Sequence, residues 1–343
     1  MEIRKVQLTG GSSYILTLPK AWIDKLGIKV KDPLGIIIQP DDSLLVTPHI
    51  SDEKHQRTKY LSIDNSDDPT FFFRSLIGAY IAGFSMIQVT ASDSLPLFVR
   101  DEINRFLQMT IGQAIVDETE STVIIRDLLN PTEMPLESTI RRMHTIVRGM
   151  CTDAIAALKE GNEELAKSVI SRDDDVDQLH WLIARQHYLA LRDPNLARKM
   201  RVPILLATKY SKISKSLERI GDHAVKIAES ILEIITSFDK QQSKGLISRI
   251  ESANSYSLST LDESINSFLK RDMRRANASI ESLEDLRTQC KEIHSRAMRQ
   301  EGIVAISIDS IVESIGRIGE YAEDIAESVI DYLIGDESEM HSK

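Results

Sequence analysis

Glu218-Arg-Ile-Gly-Asp-His-Ala-Val-Lys-Ile-Ala-Glu-Ser-Ile231 and Gly316-Arg-Ile-Gly-Glu-Tyr-Ala-Glu-Asp-Ile-Ala-Glu-Ser-Val329 are one segment written twice, 98 residues apart. Eight of the fourteen aligned positions are identical. Apolar residues recur at helical spacing in both copies, so each is an amphipathic helix. Self-similarity at this distance marks a repeated supersecondary unit. The upstream segments agree: Ala157-Leu-Lys-Glu-Gly-Asn162 is similar to Phe268-Leu-Lys-Arg-Asp-Met273. Turn signals at 160–162, 193–195, 239–245, 270–272 and 300–302 divide the rest into long helical stretches. The pattern predicts two consecutive three-helix bundles, the first over 133–240 and the second over 241–335. Gly221 and Gly319 fall in mid-helix, where glycine costs about 1 kcal/mol relative to alanine. Close helix packing or close ligand approach would offset that cost.

Four pairs of acids spaced i,i+4 fall in the bundles: Asp173/Asp177, Glu218/Asp222, Glu281/Asp285 and Glu320/Asp324. Such spacing sets both carboxylates on one helical face. A solvated surface is the ordinary explanation for any single pair. Their placement about the turns argues otherwise, because in an antiparallel hairpin residues equidistant from the turn lie at one height. Asp173/Asp177 should then face Glu218/Asp222, and Glu281/Asp285 should face Glu320/Asp324. Four carboxylates at one level repel unless cations neutralise them. Oxygen-rich sets of this kind suit hard divalent metals or iron. His180 follows Asp177 by three residues, similar to half of the Glu-x-x-His element of di-iron bundles, and only one such element is present.

The chain has 343 residues, enough for two or three domains, with 42% hydrophobic residues, 15 Gly and 10 Pro. That composition supports packed, mainly helical cores. Two cysteines, Cys151 and Cys290, exclude a disulfide scaffold and a cysteine-based zinc site, and fit a reducing cytoplasm. The uncharged run 75–92 is near the lower length limit for a membrane span, but its Gly78, Gly83, Gln88, Thr90 and serines argue against one. The start of the chain shows no signal-peptide pattern. Net charge is −10, yet residues 1–50 carry six bases against five acids. A small basic head on an acidic body leaves only the head able to approach nucleic acid.

Residues 1–50 read as a β-rich domain: strands over 4–8 and 14–18 around a Gly10-Gly11 turn, a helix over 20–26 entered from Pro19 and ended by Gly27, and a hairpin over 34–38 and 44–47. So small a unit leaves strand edges unpaired and needs a partner, predicting a homodimer. Residues 51–132 read as a polar linker (51–59) followed by a connecting α/β module. Its strands are near 60–63, 87–90, 114–118 and 122–126, and its helices near 69–82 and 95–110. No chemical motif stands out in it.

Ser171-Arg-Asp-Asp-Asp-Val-Asp177 and Leu217-Glu-Arg-Ile-Gly-Asp-His-Ala-Val-Lys-Ile-Ala-Glu229 resemble the two signatures of PhoU, the phosphate-uptake regulators. The resemblance implies tandem three-helix bundles whose acidic motifs bind multinuclear iron or other metals over about 135–335. Gly316 stands where the second repeat should carry its first acid. Glu320 remains, and Glu313 and Asp324 share its face. The segment Arg4-Lys-Val-Gln-Leu-Thr-Gly-Gly-Ser-Ser-Tyr-Ile-Leu-Thr-Leu-Pro-Lys20, with Leu26-Gly-Ile28, resembles the SpoVT/AbrB swapped-hairpin domain. That implies a half-barrel completed by a second chain. It also implies DNA contacts from Arg4, Lys5, Lys20 and Lys25, with Ser12 and Ser13 at the loop. The combination looks like a type found in archaea.

The fold expected is therefore mainly α: tandem PhoU-like bundles preceded by an AbrB-like half-barrel and a small α/β segment. The function expected is a cytoplasmic, phosphate-responsive transcriptional regulator that binds DNA as a homodimer, with a metal cluster in the bundles through which inorganic phosphate would bind. The alternative is an adaptor that restrains a phosphate transporter ATPase or a signalling protein without touching DNA. A di-iron enzyme is the third reading. No Gly-rich phosphate loop and no nucleophile–base set supports it, so no enzyme is expected.

Overall fold

A computed structural model describes residues 2–38, 42–48 and 57–335. The chain divides into two units, 1–55 and 56–343.

In the first unit, β1 (Gln7–Thr9) and β2 (Ser13–Ile15) pair antiparallel with Leu8 opposite Tyr14. Gly10 and Gly11 turn between them at φ of 58° and 81°. Helix α1 (Lys20–Leu26) follows Pro19, whose fixed φ suits entry into a helix, and ends at Gly27 in the left-handed region. β3 (Gly35–Ile38) pairs with β4 (Leu44–Thr47), Ile36 facing Val46. The first two strands are shorter than the alternation predicts, and part of the predicted 39–43 turn lies outside the described residues. No described residue of this unit is buried: Leu8 is 61%, Tyr14 76% and Ile36 65% exposed.

The second unit opens with a four-stranded sheet. β5 (Thr58–Ser62), β6 (Met86–Thr90), β7 (Gln113–Glu118) and β8 (Thr122–Asp127) are ordered β5-β6-β8-β7. β5 and β6 are parallel, joined through α2 (Pro69–Ile81), and the remaining pairs are antiparallel. The Asp68 carboxylate caps α2 by accepting from Thr70 N at 2.9 Å. With α3 (Leu97–Gln108), α2 covers one sheet face around Phe72, Leu76, Tyr80, Ile87, Ile103 and Phe106. The predicted linker 51–59 runs past the edge of description, and its last two residues already belong to β5.

The helical region contains α4 (Leu136–Glu160), α5 (Glu163–Ser171), α6 (Asp173–Arg192), a short α7 (Pro194–Lys199) and α8 (Ile204–Ile234). It continues with α9 (Lys244–Lys270), α10 (Met273–Glu281), α11 (Leu283–Ala297) and α12 (Gly302–Gly335). Each bundle thus has its middle helix broken, at Arg172 and at Ser282, where three uninterrupted helices were predicted. The acids Asp173, Asp174 and Asp175 after the first break, and Glu284 and Asp285 after the second, favour a new helical N-terminus there. Gly161 and Arg271 close α4 and α9 in the same left-handed conformation, and Asn162 and Asp272 cap the helices that follow. The repeats are therefore 110 residues apart here, one fewer than the Ala157/Phe268 match suggests.

One apolar core runs through both bundles. They adjoin along antiparallel α8 and α12, tied by Ser230 to Ser310 (3.0 Å) and by Ser307 donating to Glu233 (2.9 Å). The α/β module is pinned to α6 by Arg185. Its buried guanidinium donates to the carbonyls of Tyr80 and Phe84 and to Asp127 Oδ2 at 2.5 Å. Next to it, Gln186 donates to the carbonyls of Pro131 and Met134.

Candidate metal centre

Helices α6 and α8 of the first bundle bring Asp173, Asp177, Glu218 and Asp222 into mutual electrostatic range. Gly221 lets Asp173 come close to α8: Asp173 Oδ1 lies 3.2 Å from where a Cβ at that position would sit. Burial, then the charges of Asp222, Glu218 and Asp174, pushes Asp173 up to about 6. Burial, then Asp173, Glu218 and Asp222, pushes Asp177 up to about 7, against the pull of Lys215. Asp222, at the solvent edge, is also raised, by burial and by Glu218. These are the signatures of anions confined together without a full complement of positive charge.

Lys215, a residue the spacing rule does not find, lies one helical turn before Glu218 and donates to Glu218 Oε1 at 2.5 Å. Glu218 Oε2 is buried with no hydrogen-bond partner. His180 lines the same region. Its Nδ1 meets Ser214 Oγ at 3.1 Å, and burial lowers its pKa to about 4, so the imidazole is neutral at physiological pH. Among the described residues, no group of three His, Cys, Asp or Glu side chains is gathered tightly enough to hold a metal ion. The donor chemistry nevertheless fits one: carboxylate oxygens in excess, an orphaned buried oxygen and a neutral imidazole.

The second bundle is built differently. Glu281 ends α10 and accepts from Asn277, whereas Asp285 lies in the first turn of α11 and accepts from Tyr256 Oη at 3.1 Å. The break at Ser282 separates that pair. Glu320 accepts from Arg317 at 2.7 Å, and Asp324 is exposed. Packing identifies the true equivalents. A Cβ on Gly221 would meet Asp173 and Val176, and one on Gly319 would meet Leu283 and Leu286. At this register Asp173 and Asp177 correspond to Leu283 and Arg287, and His180 to Cys290. The second repeat has therefore exchanged its two α6-type acids for a leucine and an arginine. With Gly316 in place of Glu218, only Glu320 is left of the quartet.

In the first unit, Arg4, Lys5, Ser12, Ser13, Lys20 and Lys25 are all exposed. Arg4 is bonded to Glu2. The two serines belong to the tip of the β1–β2 hairpin and the start of β2, and the two lysines to α1. Among the described residues no helix is long and apolar enough to cross a membrane.

Residues 140–231 match the PhoU domain family, and residues 7–54 match the family described as antidote-toxin recognition MazE, bacterial antitoxin. The PhoU homologue 1 of Thermotoga maritima, named a phosphate-specific transport system accessory protein, is 25% identical over 205 residues. That alignment spans 57% of this chain and 84% of the relative. The accessory protein PhoU of Escherichia coli K12 is 26% identical over 208 residues, 58% of this chain and 83% of the relative. The homologue from Caulobacter vibrioides reaches 37% over 98 residues, 28% of this chain and 39% of the relative. The crystal structure of PhoU from Pseudomonas aeruginosa superposes with a TM-score of 0.48 at 22% identity, covering 58% of this chain and 96% of that one.

Proposed function

We propose, for a chain that carries a PhoU domain at residues 140–231 and a MazE/AbrB-type domain at residues 7–54, that it is a phosphate-responsive regulator of phosphate uptake acting on DNA. The observation that carries this reading is the union of those two domains in one polypeptide. The relatives matched by the helical region are named as accessory proteins of phosphate-specific transport. The N-terminal unit adds exposed basic side chains in a chain whose overall charge is −10. Two copies would present eight cations from Arg4, Lys5, Lys20 and Lys25. If six to ten phosphates are neutralised, affinity falls roughly 10³–10⁵-fold between 50 and 200 mM salt.

In the first bundle, Asp173, Asp177, Glu218 and Asp222 would hold hard divalent cations or iron, and His180 would supply a neutral nitrogen beside them. The bound metal provides positive charge, and so an attachment point for inorganic phosphate on an otherwise acidic surface. Lys215, which donates to Glu218 Oε1, would have to release it for Glu218 to serve as a ligand. The raised pKa values of Asp173, Asp177 and Asp222 reflect mutual repulsion that a bound cation would relieve.

Promoter occupancy of the full chain at high and low phosphate tests the reading. Phosphate-dependent occupancy, lost on reversing Arg4 and Lys5 to Glu, is the expected result. Absence of promoter occupancy, together with co-purification of a transporter ATPase, would instead establish an adaptor that restrains transport without DNA. Elemental analysis of unchelated protein checks the metal. It is expected to disappear when Glu218→Gln and Asp222→Asn are combined.

A further inference from the structure

The sheet of the α/β module has two outer strands, and they are not equally protected. β7 carries a register shift between Ile115 and Asp117 and two acids, Asp117 and Glu118, features that blunt an edge against further pairing. β5 runs beside β6 over its whole length with no shift. Its ends show which way its backbone faces. Arg57 N donates to Ser85 Oγ at 2.9 Å, and the Arg57 carbonyl accepts from the amides of Ser85 at 3.0 Å and Met86 at 3.2 Å. At the other end Ile63 N donates to the Thr90 carbonyl at 2.9 Å. Alternation along the strand therefore turns the N–H and C=O groups of Arg57, Lys59, Leu61 and Ile63 toward β6, and those of Thr58, Tyr60 and Ser62 away from it. Among the described residues nothing pairs with these outward groups. Tyr60, in the middle of the row, is 68% exposed.

A second copy of β5 fits this edge. Placed antiparallel about a two-fold axis at Tyr60, it sets Tyr60 opposite itself and Thr58 opposite Ser62, so that every outward N–H and C=O of both copies finds a partner. Tyr60 is registered with Gln88, between the helix-covered Ile87 and Val89, so the two tyrosine rings meet on the open sheet face as an aromatic cross-strand pair. Lys59, the single charge of the strand, meets Leu61 of the other copy rather than the other Lys59. Ten residues, 48–57, join β4 to β5, a reach of at most about 35 Å. Two heads joined as a dimer therefore keep two β5 edges within reach of each other. A pairing too short to hold free chains together then becomes in effect intramolecular.

We propose that β5 is a docking edge for β5 of a second copy of this chain, joining the two four-stranded sheets into one across a two-fold axis. The inference rests on the N-terminal unit holding two chains together, and it adds a second contact that ties their bodies. Each sheet is fastened to its own α6 by Arg185, so the pairing links the two α6 helices, and the acids Asp173 and Asp177 on them, through one sheet.

Amide hydrogen exchange of the full chain, read residue by residue, tests it. Thr58, Tyr60 and Ser62 should exchange at least about tenfold more slowly than in the Leu8→Glu/Leu16→Glu chain, whose heads are parted. Lys59 and Leu61, which face β6 in either case, should not change. Tyr60→Pro removes one outward N–H without touching the ladder to β6. It should remain a dimer in light scattering and free the amides of Thr58 and Ser62. Disulfide trapping reads the register, in a Cys290→Ser background where the remaining Cys151 is buried. Tyr60→Cys should cross-link to itself on oxidation, because the paired Cα atoms would lie about 5.5 Å apart. Thr58→Cys alone should not, its two copies being roughly 13 Å apart along the strands, but it should cross-link when co-expressed with Ser62→Cys. A monomeric full chain would overturn the head dimer and this contact together. A dimer whose three amides exchange as fast as in the parted chain, or whose Tyr60→Cys form does not cross-link, would overturn the contact alone. Protection that persists in the parted chain would show the edge covered by something other than a second β5, and would overturn it too.

Discussion

Gly221 and Gly319 occupy matching positions, yet their surroundings make different demands. A methyl group on Gly319 would sit 2.2 Å from Leu286 Cδ2 and 3.0 Å from Leu283 Cδ1 within a packed core. Gly319→Ala is therefore expected to lose about 1–3 kcal/mol in urea unfolding, the usual range for overpacking. At Gly221 the nearest atom is Asp173 Oδ1 at 3.2 Å, at the end of a side chain that can swing aside. The gain in helix propensity, about 1 kcal/mol, then nearly cancels the crowding, and Gly221→Ala should be close to neutral for stability. Its effect should appear in metal affinity instead. The acids beside it set a pH dependence of known sign. Asp173 and Asp177 titrate near 6 and 7 when folded, above the ordinary aspartate value of 3.8. The folded state thus binds more protons than the unfolded state, and their contribution is greatest below about pH 4. It declines as pH rises through the folded values, as a coupled set. Metal-free protein should lose thermal stability from pH 5 to 8, and Asp177→Asn should flatten that decline while weakening metal binding.

The buried pair between α6 and the sheet is a test at the level of elements. The side chains of Arg185 and Asp127 are 4% and 8% exposed. Replacing Arg185 by Met leaves Asp127 buried without its counter-charge and should cost about 3–5 kcal/mol, read by denaturant unfolding. Adding Asp127→Asn should recover part of the loss. How far elements are legible in sequence follows from such local demands. Helix α1 is read to its ends because Pro19 and Gly27 impose them through φ alone. The strands of the first hairpin are read too long, because alternation continues past the residues that find partners. The first carboxylate quartet is visible because both of its pairs lie within single helices. The Glu281/Asp285 spacing assumes one helix, and the break at Ser282 invalidates it. The chemistry of the second bundle followed the packing register of Gly319, which identity of acidic residues does not reveal. Lys215 lies three residues before Glu218 on α8, a spacing legible in the sequence, whereas the Arg287–Glu323 pair between α11 and α12 is not, because ion pairs between helices depend on rotation about the helix axis.

At the scale of the molecule, the N-terminal unit cannot account for its own apolar side chains. Val6, Leu8, Tyr14, Ile36 and Ile38 are all exposed, and the unit has no buried residue among those described. A fold of that size with no interior has only intermolecular burial to draw on. Light scattering on the full chain is expected to give twice the 38.6 kDa chain mass. Leu8→Glu combined with Leu16→Glu is expected to yield a single-chain species that retains the helical circular dichroism of the bundles. Loss of the dimer should weaken DNA binding far more than losing one copy's cations would, because two half-sites no longer act together.

The Arg185 and Gln186 anchors have a further consequence. They grip main-chain carbonyls at Tyr80, Phe84, Pro131 and Met134, on both sides of the exposed Leu128. A protease that severs the backbone near Leu128 would leave two fragments still clasped together, migrating as one particle until denaturant parts them.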